Sequence, residues 1–527
     1  MKTLRDRIPF AIAGAVFLIL LTAIAWTSLL SNAGHLTYAL DDPYIHMAIA
    51  KNLVTHGVFG VTQFSFSSST SSPLWTLMLA LAYRAVGASD WTPGILAALF
   101  ALAALYSTDS LGRLLGVGVT GRSILCVAVV YFTPLVPIVS TGMEHAMHLF
   151  LAIVLVGATI RFAMEPSARS LACACGVGML AVATRYESLF LIGPLAVWLL
   201  CAKQIRGALL LGISAFLPVL AYGVVSMMNG SYFLPNSLML KGHFASFDGI
   251  GAIMDAFGGR GVGILIGTGH LYVICVTLLL GAFLWRRDSV LPAVALCMAA
   301  SIVVHLQFAL TGWFYRYEAY LVAASLPIVG GLYCGLRESL LPRFRDRTRV
   351  PGFIALMGCI LLLAWPLHLR AMESLDRVAF SSNHIYRQQY QMAEFLRTMY
   401  APGVRVACND LGAVSYYADA DILDLWGLGT IEVTRAKRAE KYDASAIEEL
   451  LKQRRTEIVM VYSDWFNSNW PKGLIPVAKW TLTNNYWGKT VSFYALSQEG
   501  AKDMAGRLRQ YQGRLPDSVA VSYQRPQ

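Results

Sequence analysis

A chain of 527 residues with 56% hydrophobic residues, 14% charged residues and a mean hydropathy of +0.55 is too apolar for a soluble enzyme. Its net charge of +11 does not indicate nucleic-acid binding, because the basic residues fall in short clusters between apolar segments. Its 9 cysteines show no paired or zinc-type spacing, which argues against a disulfide framework and a zinc site. The composition therefore predicts a polytopic membrane protein.

The N-terminal sequence MKTLRDR precedes a first apolar run at residues 8–30. This run is longer than a signal-peptide core and has no clear small-x-small cleavage site after it. We therefore predict a retained membrane helix with the N-terminus in the cytoplasm.

Eleven apolar segments are long enough to cross a membrane. They are 8–30, 91–111, 122–140, 145–163, 168–184, 187–202, 207–228, 262–285, 289–311, 315–336 and 351–369. Basic residues in alternate loops fall on the side of Lys2, Arg5 and Arg7, as the positive-inside rule requires. An odd number of crossings places the C-terminus outside.

Residues 73–87 form a further short apolar stretch. A full crossing here would invert every later loop, so we predict a re-entrant or surface-lying segment. An additional pair of helices, giving thirteen crossings, is the alternative.

Charges and aromatic residues increase after Arg370. We predict a membrane domain at 1–370, with a catalytic first outer loop at 31–72, and a soluble extracytoplasmic α/β domain at 371–527. Residues 405–410, 420–428 and 456–463 have the pattern of short buried strands, and 442–455 has the pattern of a helix.

Two acids, Asp41 and Asp42, stand in the first outer loop directly before Pro43. Proline is favoured at the first helical position, so Asp42 is predicted to cap the helix that follows, and an apolar stripe predicts that this helix lies in the membrane interface. Asp41 has no such local partner, and a carboxylate free to point into a cavity can act as a general base. The alternative is that both acids only solvate the membrane border and cap the helix.

Further ionisable and polar residues cluster near the predicted outer ends of the helices. They are His46, Glu144, His145, Arg185, Glu187, Asn236, Lys241, His243, Arg316 and Glu318. Charges are costly at the membrane centre, so their gathering at one depth predicts a polar cavity that faces outward.

The basic members of this set, Arg185, Lys241, His243 and Arg316, suit an anionic group such as a lipid phosphate. Ion pairs offer an alternative: Arg185 with Glu187 or Glu144, and Arg316 with Glu318. His145 and His148 can form half of a metal site, but no clear third ligand accompanies them. No metal site is predicted, and a divalent cation stays open as a cofactor.

The Ser-rich stretch FSFSSSTSSPLWTL, residues 64–77, has the composition of a flexible linker. Its place on the outer side leaves a loop over the cavity as the alternative interpretation.

The order of these segments resembles the GT-C superfamily of polyprenyl-phosphate-dependent membrane glycosyltransferases, and most closely the branch that contains mycobacterial arabinofuranosyltransferases. The resemblance rests on DDPYIHMAIAKNL, SSPLWTLMLALAYRAVG, TGMEHAM, TRYESLFL, FLPNSLMLK and NDLGAVSYYADADILDLWGL, in this order. It spans most of the chain. TRYE lacks a proline often found after this arginine in the family, and the Ser-rich stretch is a looser version of the family's loop.

The resemblance implies an inverting transferase with Asp41 as the general base and Asp42 as its helper. It implies roles in donor or acceptor binding for Glu144, Arg185, Glu187, Asn236 and Lys241. The resemblance and the charged residues near the predicted outer helix ends together suggest two sets of binding residues. The predicted donor-phosphate residues are Arg185, Lys241, His243 and Arg316, and the predicted acceptor or sugar residues are His46, Glu144, Glu187 and Asn236.

The predicted reaction moves a sugar, with arabinofuranose suggested by the named relatives, from a polyprenyl-phosphate donor to a glycan, lipid or protein acceptor outside a bacterial inner membrane. The alternative is a polytopic transporter or a flippase for lipid-linked glycans. Transport is disfavoured, because charged groups gather at one face and do not line a pathway across the membrane.

Overall fold

Helices make up most of the computed structural model, and a mixed sheet follows them near the end of the chain. The described residues are 6–241, 261–285, 290–340, 350–483 and 490–524. The chain divides into two compact units. The helical unit consists of Met1–Ala25, Gly94–Ala221 and Gly242–Val378, and the sheet unit consists of Trp26–Pro93, Tyr222–Lys241 and Ala379–Gln527.

The helices before residue 386 follow the apolar segments of the sequence. They are α1 (Ile8–Ser31), α2 (Asp42–His56), α3 (Pro73–Val86), α4 (Trp91–Leu114), α5 (Val119–Phe132), α6 (Leu135–Ser140), α7 (His145–Met164), α8 (Ala168–Thr184), α9 (Leu189–Cys201), α10 (Ile205–Met228), α11 (Asn236–Lys241), α12 (Gly261–Leu284), α13 (Val290–Phe308), α14 (Ala319–Leu340) and α15 (Val350–Ile385). Each of the eleven apolar segments predicted to cross the membrane is helical over most of its described length.

Among the described helices, 6 are long and apolar enough to cross a membrane by length and composition. They are Ile8–Ser31, Trp91–Leu114, His145–Met164, Ile205–Met228, Val290–Phe308 and Ala319–Arg337. Shorter apolar helices accompany them, including α5 and α8. The chain is therefore a multi-pass membrane protein. The predicted count of eleven crossings, with thirteen as the alternative, stays a prediction.

Helix α14 is central to the helical unit, since most of its apolar segment is buried inside the protein. It packs against α5, α7, α12 and α13. Small residues permit this close packing: a Cβ atom at Gly330 would lie 2.8 Å from Cδ1 of Leu125 on α5. Because α14 is held on several sides, it gives a rigid support to the residues just before it, which include Arg316 and Glu318.

The sheet unit is built on a six-stranded sheet with the order β2-β1-β3-β5-β4-β6. The strands are β1 (Arg405–Cys408), β2 (Asp421–Asp424), β3 (Ile458–Val461), β4 (Ile475–Leu482), β5 (Thr490–Ala495) and β6 (Val519–Tyr523). Strands β2, β1 and β3 are parallel, whereas β5, β4 and β6 add antiparallel pairs.

Along the chain, helices precede the first strand of this sheet and alternate with the later strands. A π-helical turn, Tyr386–Tyr390, leads into α16 (Gln391–Met399), and α17 (Gly412–Tyr417), α18 (Ile431–Arg438), α19 (Ala444–Gln453) and α20 (Gln498–Gln512) follow. The strands predicted at 405–410, 420–428 and 456–463 correspond to β1, β2 and β3, and the helix predicted between the last two corresponds to α19. Those predictions are confirmed.

Helix α2 belongs to the hydrophobic core of the sheet unit. Ile45 and Ile49 cluster there with Phe395, Val406 and Met460. The prediction that α2 lies in the membrane interface is wrong, because protein side chains cover its apolar stripe. The compact sheet unit thus includes residues 31–72, which were predicted to form the first outer loop, while the predicted domain boundary at residue 370 stays a prediction.

Helix α3 packs against α2 within the sheet unit. It buries Trp75 and Leu79 on one side and leaves Leu81 and Val86 exposed at 72% and 76% on the other. Exposed apolar side chains on a short helix are compatible with contact to lipid. The re-entrant or surface placement of residues 73–87 stays a prediction.

Candidate functional site

Asp41 is the N-cap residue of α2. Its carboxylate does not cap α2, but accepts hydrogen bonds from the backbone N–H groups of Gly412 at 2.5 Å and Ala413 at 2.8 Å. Only 8% of Asp41 is exposed. The sequence prediction made Asp42 the cap, which is wrong, since Asp42 is the first helical residue. Asp41 has no local partner, as expected, and its carboxylate is instead bound by distant backbone groups at the start of α17.

Glycine is required at position 412 for this contact. A Cβ atom on Gly412 would lie 2.1 Å from the backbone oxygen of Asp41 and 2.6 Å from its carboxylate Oδ2. Hydrogen is therefore the only side chain that fits, and Gly412 lets the backbone of α17 approach Asp41 closely enough to donate.

Asp410 brings a second carboxyl group to Asp41. Nε2 of Gln389 donates to Oδ2 of Asp410 at 2.7 Å. Burial raises the pKa of Asp41 well above its usual range, and the Asp410 charge raises it further, against the lowering effect of the Ala413 and Gly412 N–H groups. Asp41 is therefore suited to exchange a proton at a less acidic pH than an ordinary aspartate.

These groups lie at the carboxyl ends of the parallel strands. Asn409 and Asp410 follow β1, Tyr462 follows β3, and Asp424 ends β2. The Tyr462 N–H donates to Oδ1 of Asn409 at 3.0 Å, and Nδ2 of Asn409 donates to the Tyr462 carbonyl at 3.3 Å. In open α/β sheets, ligands bind at this edge. The position of Asp41 therefore agrees with a role at a functional site.

The Ser-rich segment 64–77 packs inside the sheet unit. Its buried hydroxyl residues are Ser67, Ser68, Ser69, Thr70, Ser72 and Thr76. The hydroxyl groups of Thr70 and Thr76 each lie 3.0 Å from Nδ1 of His46, and Oγ of Ser68 lies 3.2 Å from the Tyr222 hydroxyl. The linker interpretation is wrong, because these hydroxyl groups are buried and hydrogen-bonded. His46 is part of this packed network.

Asn236 begins α11 and is 1% exposed. Its Nδ2 donates to the Leu428 carbonyl at 3.1 Å, and its backbone N–H donates to the Ser68 carbonyl at 2.8 Å. Among the described residues, its Oδ1 has no hydrogen-bond partner. The side chain of Lys241 is not described and His243 lies outside the described residues, so their assignments stay predictions.

The helical unit contains a buried ion-pair group at Arg185. Its Nη1 lies 2.6 Å from Oε1 of Glu144, and its Nη2 lies 2.5 Å from Oε1 of Glu187. Glu144 directly precedes α7, and Arg185 directly follows α8. The pairing that the sequence left as an alternative for Arg185 is therefore confirmed.

A strained turn precedes α14. The φ angles of residues 312–315 are all positive, at 89°, 48°, 65° and 55°. A left-handed conformation costs about 1–2 kcal/mol per non-glycine residue, and such strain concentrates at functional sites. Directly after the turn, Nη2 of Arg316 donates to the Tyr317 hydroxyl at 3.0 Å. The guanidinium groups of Arg316 and Arg185 lie 4.9 Å and 5.4 Å from the centre of the Tyr317 ring.

Arg370 is a candidate that the sequence analysis used only to mark the end of the membrane domain. It is 3% exposed, and its Nη2 lies 3.4 Å from Oε1 of Glu318. Its guanidinium lies 4.4 Å from the centre of the Tyr315 ring. Nε and Nη1 have no hydrogen-bond partner among the described residues. Unsatisfied buried donors are costly, so Arg370 is well suited to bind an anion.

The predicted site residues therefore fall into two groups. Asp41, Asp42, His46, Asn236 and Lys241 belong to the sheet unit, and Glu144, Arg185, Glu187 and Arg316 belong to the helical unit. Within the described ranges, no group of three or more His, Cys, Asp or Glu side chains is arranged to hold a metal ion. The sequence analysis missed Asp410, Gln389 and Arg370, although the NDLGA motif and the charged end of the last apolar segment were visible signals.

Comparisons with known proteins give one family match and several structural matches. A family model described as a domain of unknown function (DUF8728) matches residues 383–494. No curated protein matches the chain. The apo structure of ArnT from Cupriavidus metallidurans matches with 13% identity and a TM-score of 0.52, over 94% of this chain and 99% of that chain.

Two further solved structures are similar. ArnT from Cupriavidus metallidurans bound to undecaprenyl phosphate has 12% identity and a TM-score of 0.51, over 91% of this chain and 97% of that chain. The arabinofuranosyltransferase AftD from Mycobacteria has 15% identity and a TM-score of 0.48, over 93% of this chain and 42% of that chain. At this identity, the two ArnT matches show that this chain shares their fold.

Proposed function

We propose that this chain, whose fold is of the GT-C type, is an inverting glycosyltransferase that uses a polyprenyl-phosphate-linked sugar. The donor class is supported by the ArnT structure with undecaprenyl phosphate bound. The acceptor is a glycan, lipid or protein hydroxyl on the extracytoplasmic side of a bacterial inner membrane, with the N-terminus cytoplasmic and residues 371–527 extracytoplasmic. The observation that carries the proposal is the buried Asp41 carboxylate at the carboxyl edge of the parallel strands.

Asp41 is the proposed general base. A carboxylate offers about four lone-pair positions, and the backbone N–H groups of Gly412 and Ala413 occupy two of them, which leaves room for an acceptor hydroxyl. The acceptor oxygen attacks the anomeric carbon, its proton passes to Asp41, and the bond from that carbon to the phosphate oxygen breaks. The polyprenyl phosphate leaves with the bonding electrons. A single in-line displacement of this kind inverts the anomeric centre.

Arginine residues of the helical unit are proposed to neutralise the departing phosphate. Arg370 is the strongest candidate, because two of its buried nitrogen atoms lack hydrogen-bond partners in the described structure. Arg185 already faces Glu144 and Glu187, which compensate its charge. We therefore propose that Arg185 is a positioning residue, which holds Glu144 and Glu187 in place. The predicted phosphate contacts of Arg316, Lys241 and His243 stay part of the proposal.

The identity of the sugar is a finer proposal that rests on resemblance. Arabinofuranose is the first sugar to test, because the motifs of this chain resemble those of arabinofuranosyltransferases. The proposal keeps Asp42 as the helper of the general base. It also keeps the predicted acceptor-binding or sugar-binding residues, which are His46, Glu144, Glu187 and Asn236.

The decisive experiment measures glycosyl transfer from a panel of synthetic polyprenyl-phosphate sugars by purified wild-type protein and by Asp41→Asn. Loss of a general base is expected to lower the rate by about 10²–10⁴-fold, while binding of the donor persists. Asp503→Asn, which changes an exposed acid on α20, is the matched control. Full activity of Asp41→Asn would refute the role of Asp41. Movement of the lipid across vesicles without sugar transfer would favour the flippase alternative.

A further inference from the structure

Two tryptophan residues meet at the carboxyl edge of the parallel strands. Trp426 stands two positions after β2, and Trp465 lies in a short 3-10 helix, Ser463–Asn469, that follows β3. The centres of the two rings are 5.1 Å apart, and the ring planes are inclined at 72°. Because β1 lies between β2 and β3, and neighbouring strands are about 4.8 Å apart, this contact reaches across β1.

The end of β1 also leads to the proposed general base. Just beyond it, the first turn of α17 donates two backbone N–H groups to Asp41. Asn409, between β1 and α17, accepts a hydrogen bond from the Tyr462 N–H and donates one to the Tyr462 carbonyl. The Tyr462 ring stacks on the Trp465 ring, with centres 5.6 Å apart. The tryptophan pair and Asp41 are thus connected to the same strand end.

The tryptophan pair is held in place by several contacts. The backbone N–H of Trp426 donates to Oδ1 of Asp424 at 2.8 Å, and Nζ of Lys437 donates to the Trp426 carbonyl at 2.8 Å. The same ammonium group lies 3.9 Å from the centre of the Trp426 ring. Trp465 is supported in turn by Trp426 and by the stacked ring of Tyr462. A ligand that binds here meets an ordered surface, which lowers the entropic cost of binding.

Trp465 presents an aromatic surface to solvent among polar neighbours. It is 38% exposed, and within residues 391–483 and 490–524 it is the only large hydrophobic side chain that is exposed. Asp464 and Asn469, in the same short helix, are exposed as well. A surface for lipid or protein contact needs a contiguous apolar patch, which one ring does not supply.

A sugar ring matches this combination of groups. Its C–H groups carry a small positive charge and pack on the negative face of an aromatic ring. Its hydroxyl groups lie at the rim, where polar side chains can form hydrogen bonds with them.

We propose that Trp465, supported by Trp426, is a stacking surface for a saccharide. The acceptor of the transfer reaction is accordingly a glycan chain, of which one sugar ring packs on Trp465 while a hydroxyl group of the same chain reaches Asp41. The inference rests on the proposed function and makes it more specific, because a glycan, a lipid and a protein all stood there as acceptors.

The first test measures saccharide binding directly, without transfer. Titration calorimetry gives the affinity of the full-length protein for soluble oligosaccharides of arabinose, galactose and mannose. Trp465→Ala should weaken binding by about tenfold, whereas Trp465→Phe keeps a ring and should retain most of the affinity. The control is Tyr523→Ala, which removes a half-buried ring on β6, the strand at the far edge of the sheet, and should leave binding unchanged.

Two results of this titration would overturn the inference. One is that none of the oligosaccharides binds to wild type, and the other is that Trp465→Ala binds them as tightly as wild type. Weaker binding of polyprenyl phosphate by Trp465→Ala, with saccharide binding unchanged, would place lipid at Trp465 and would also overturn it.

Saturation-transfer NMR on wild type covers the case in which Trp465→Ala does not fold. Protons on the stacked face of the bound sugar should take up more saturation than those on the opposite face. Equal saturation of both faces would contradict stacking.

The transfer assay separates this inference from the proposed function. With a saccharide acceptor, Trp465→Ala should raise KM for the acceptor by about tenfold and leave kcat near the wild-type value, because stacking is lost equally from the ground state and the transition state. Saccharide binding that depends on Trp465, without sugar transfer by wild type, would refute the proposed function alone. Transfer to a lipid or protein acceptor that is lost in Asp41→Asn but intact in Trp465→Ala would refute the inference alone.

Discussion

The two units of this protein bury acids in two different ways. In the helical unit, Glu144 and Glu187 lie against Arg185, and Glu318 lies against Arg370. In the sheet unit, Asp41 lies against backbone N–H groups and a second acid. Burial penalises a charge unless an opposite charge or hydrogen bonds compensate it. The comparison shows that the acids of the helical unit are compensated by an opposite charge, whereas Asp41 is compensated by backbone donors alone.

The pKa values of two acids express this contrast. Burial raises the pKa of Glu318, but the hydrogen bond to His270 and the Arg370 charge outweigh it, so the pKa lies below the usual range. Burial and the Asp410 charge raise the pKa of Asp41. The surroundings of Glu318 therefore favour its charged form, whereas those of Asp41 favour its protonated form more than for an ordinary aspartate.

Replacement of Arg185, the cation that pairs with both Glu144 and Glu187, should have the largest effect on stability. Arg185→Met leaves Glu144 and Glu187 buried without that positive charge, and loss of one partner of a buried pair costs about 3–5 kcal/mol. Thermal unfolding in detergent measures the loss. The control is Arg397→Met, whose exposed pair with Glu394 should contribute only about 0–1 kcal/mol. Equal effects of the two variants would remove the distinction between buried and exposed pairs.

A methyl group at position 412 should disturb the Asp41 contact directly. Gly412→Ala forces its Cβ against the Asp41 backbone, and overpacking of this kind costs about 1–3 kcal/mol. Glycosyl transfer should fall as well, because Asp41 is displaced. In Gly506→Ala on the exposed helix α20, the new Cβ meets no atom within 4 Å. That control should be stabilised by about 0.4–1 kcal/mol, and a similar gain in Gly412→Ala would contradict the close approach.

The two acids should respond to pH with opposite sign. The folded pKa of Glu318 is lowered, so its contribution to stability is present above the unfolded pKa and is lost as the pH falls through the folded value. Asp41 behaves in the opposite sense, because its folded pKa is raised. Unfolding temperatures of Glu318→Gln and Asp41→Asn, measured against pH beside wild type, should therefore differ from wild type at opposite ends of the range. Slopes of the same sign would refute the contrast.

The smallest expected effect concerns the packed Ser-rich segment. Ser68→Ala removes a buried hydroxyl that contacts Tyr222 and Ser226, and loss of such hydrogen bonds costs about 1 kcal/mol. Ser170→Ala, which changes an exposed hydroxyl group at the start of α8, is a comparison at the surface. Thermal unfolding again reports the difference. An unchanged unfolding temperature in Ser68→Ala would show that this contact adds nothing to stability.

Local patterns in the sequence predicted the elements that depend on neighbouring residues. Long apolar segments correspond to helices, and the fully buried strand β3 is a short apolar run, IVMV. Strands β4 and β5 were not predicted. In β4, Pro476 and Lys479 interrupt the apolar pattern, because this strand alternates between buried and less buried positions.

The sequence by itself also determined which charged residues stand at helix ends, because the cost of a charge in the membrane excludes most other places. Only the tertiary structure decided their partners. Asp41 and Ala413 are 372 positions apart, and Arg370 is 52 positions from Glu318. Contacts over such separations depend on how helices and strands pack, and composition and periodicity carry no information about that geometry. Asp41 and Asp42 therefore marked a candidate site in the sequence, whereas the partners of Asp41, the N–H groups of Gly412 and Ala413, were decided by the fold.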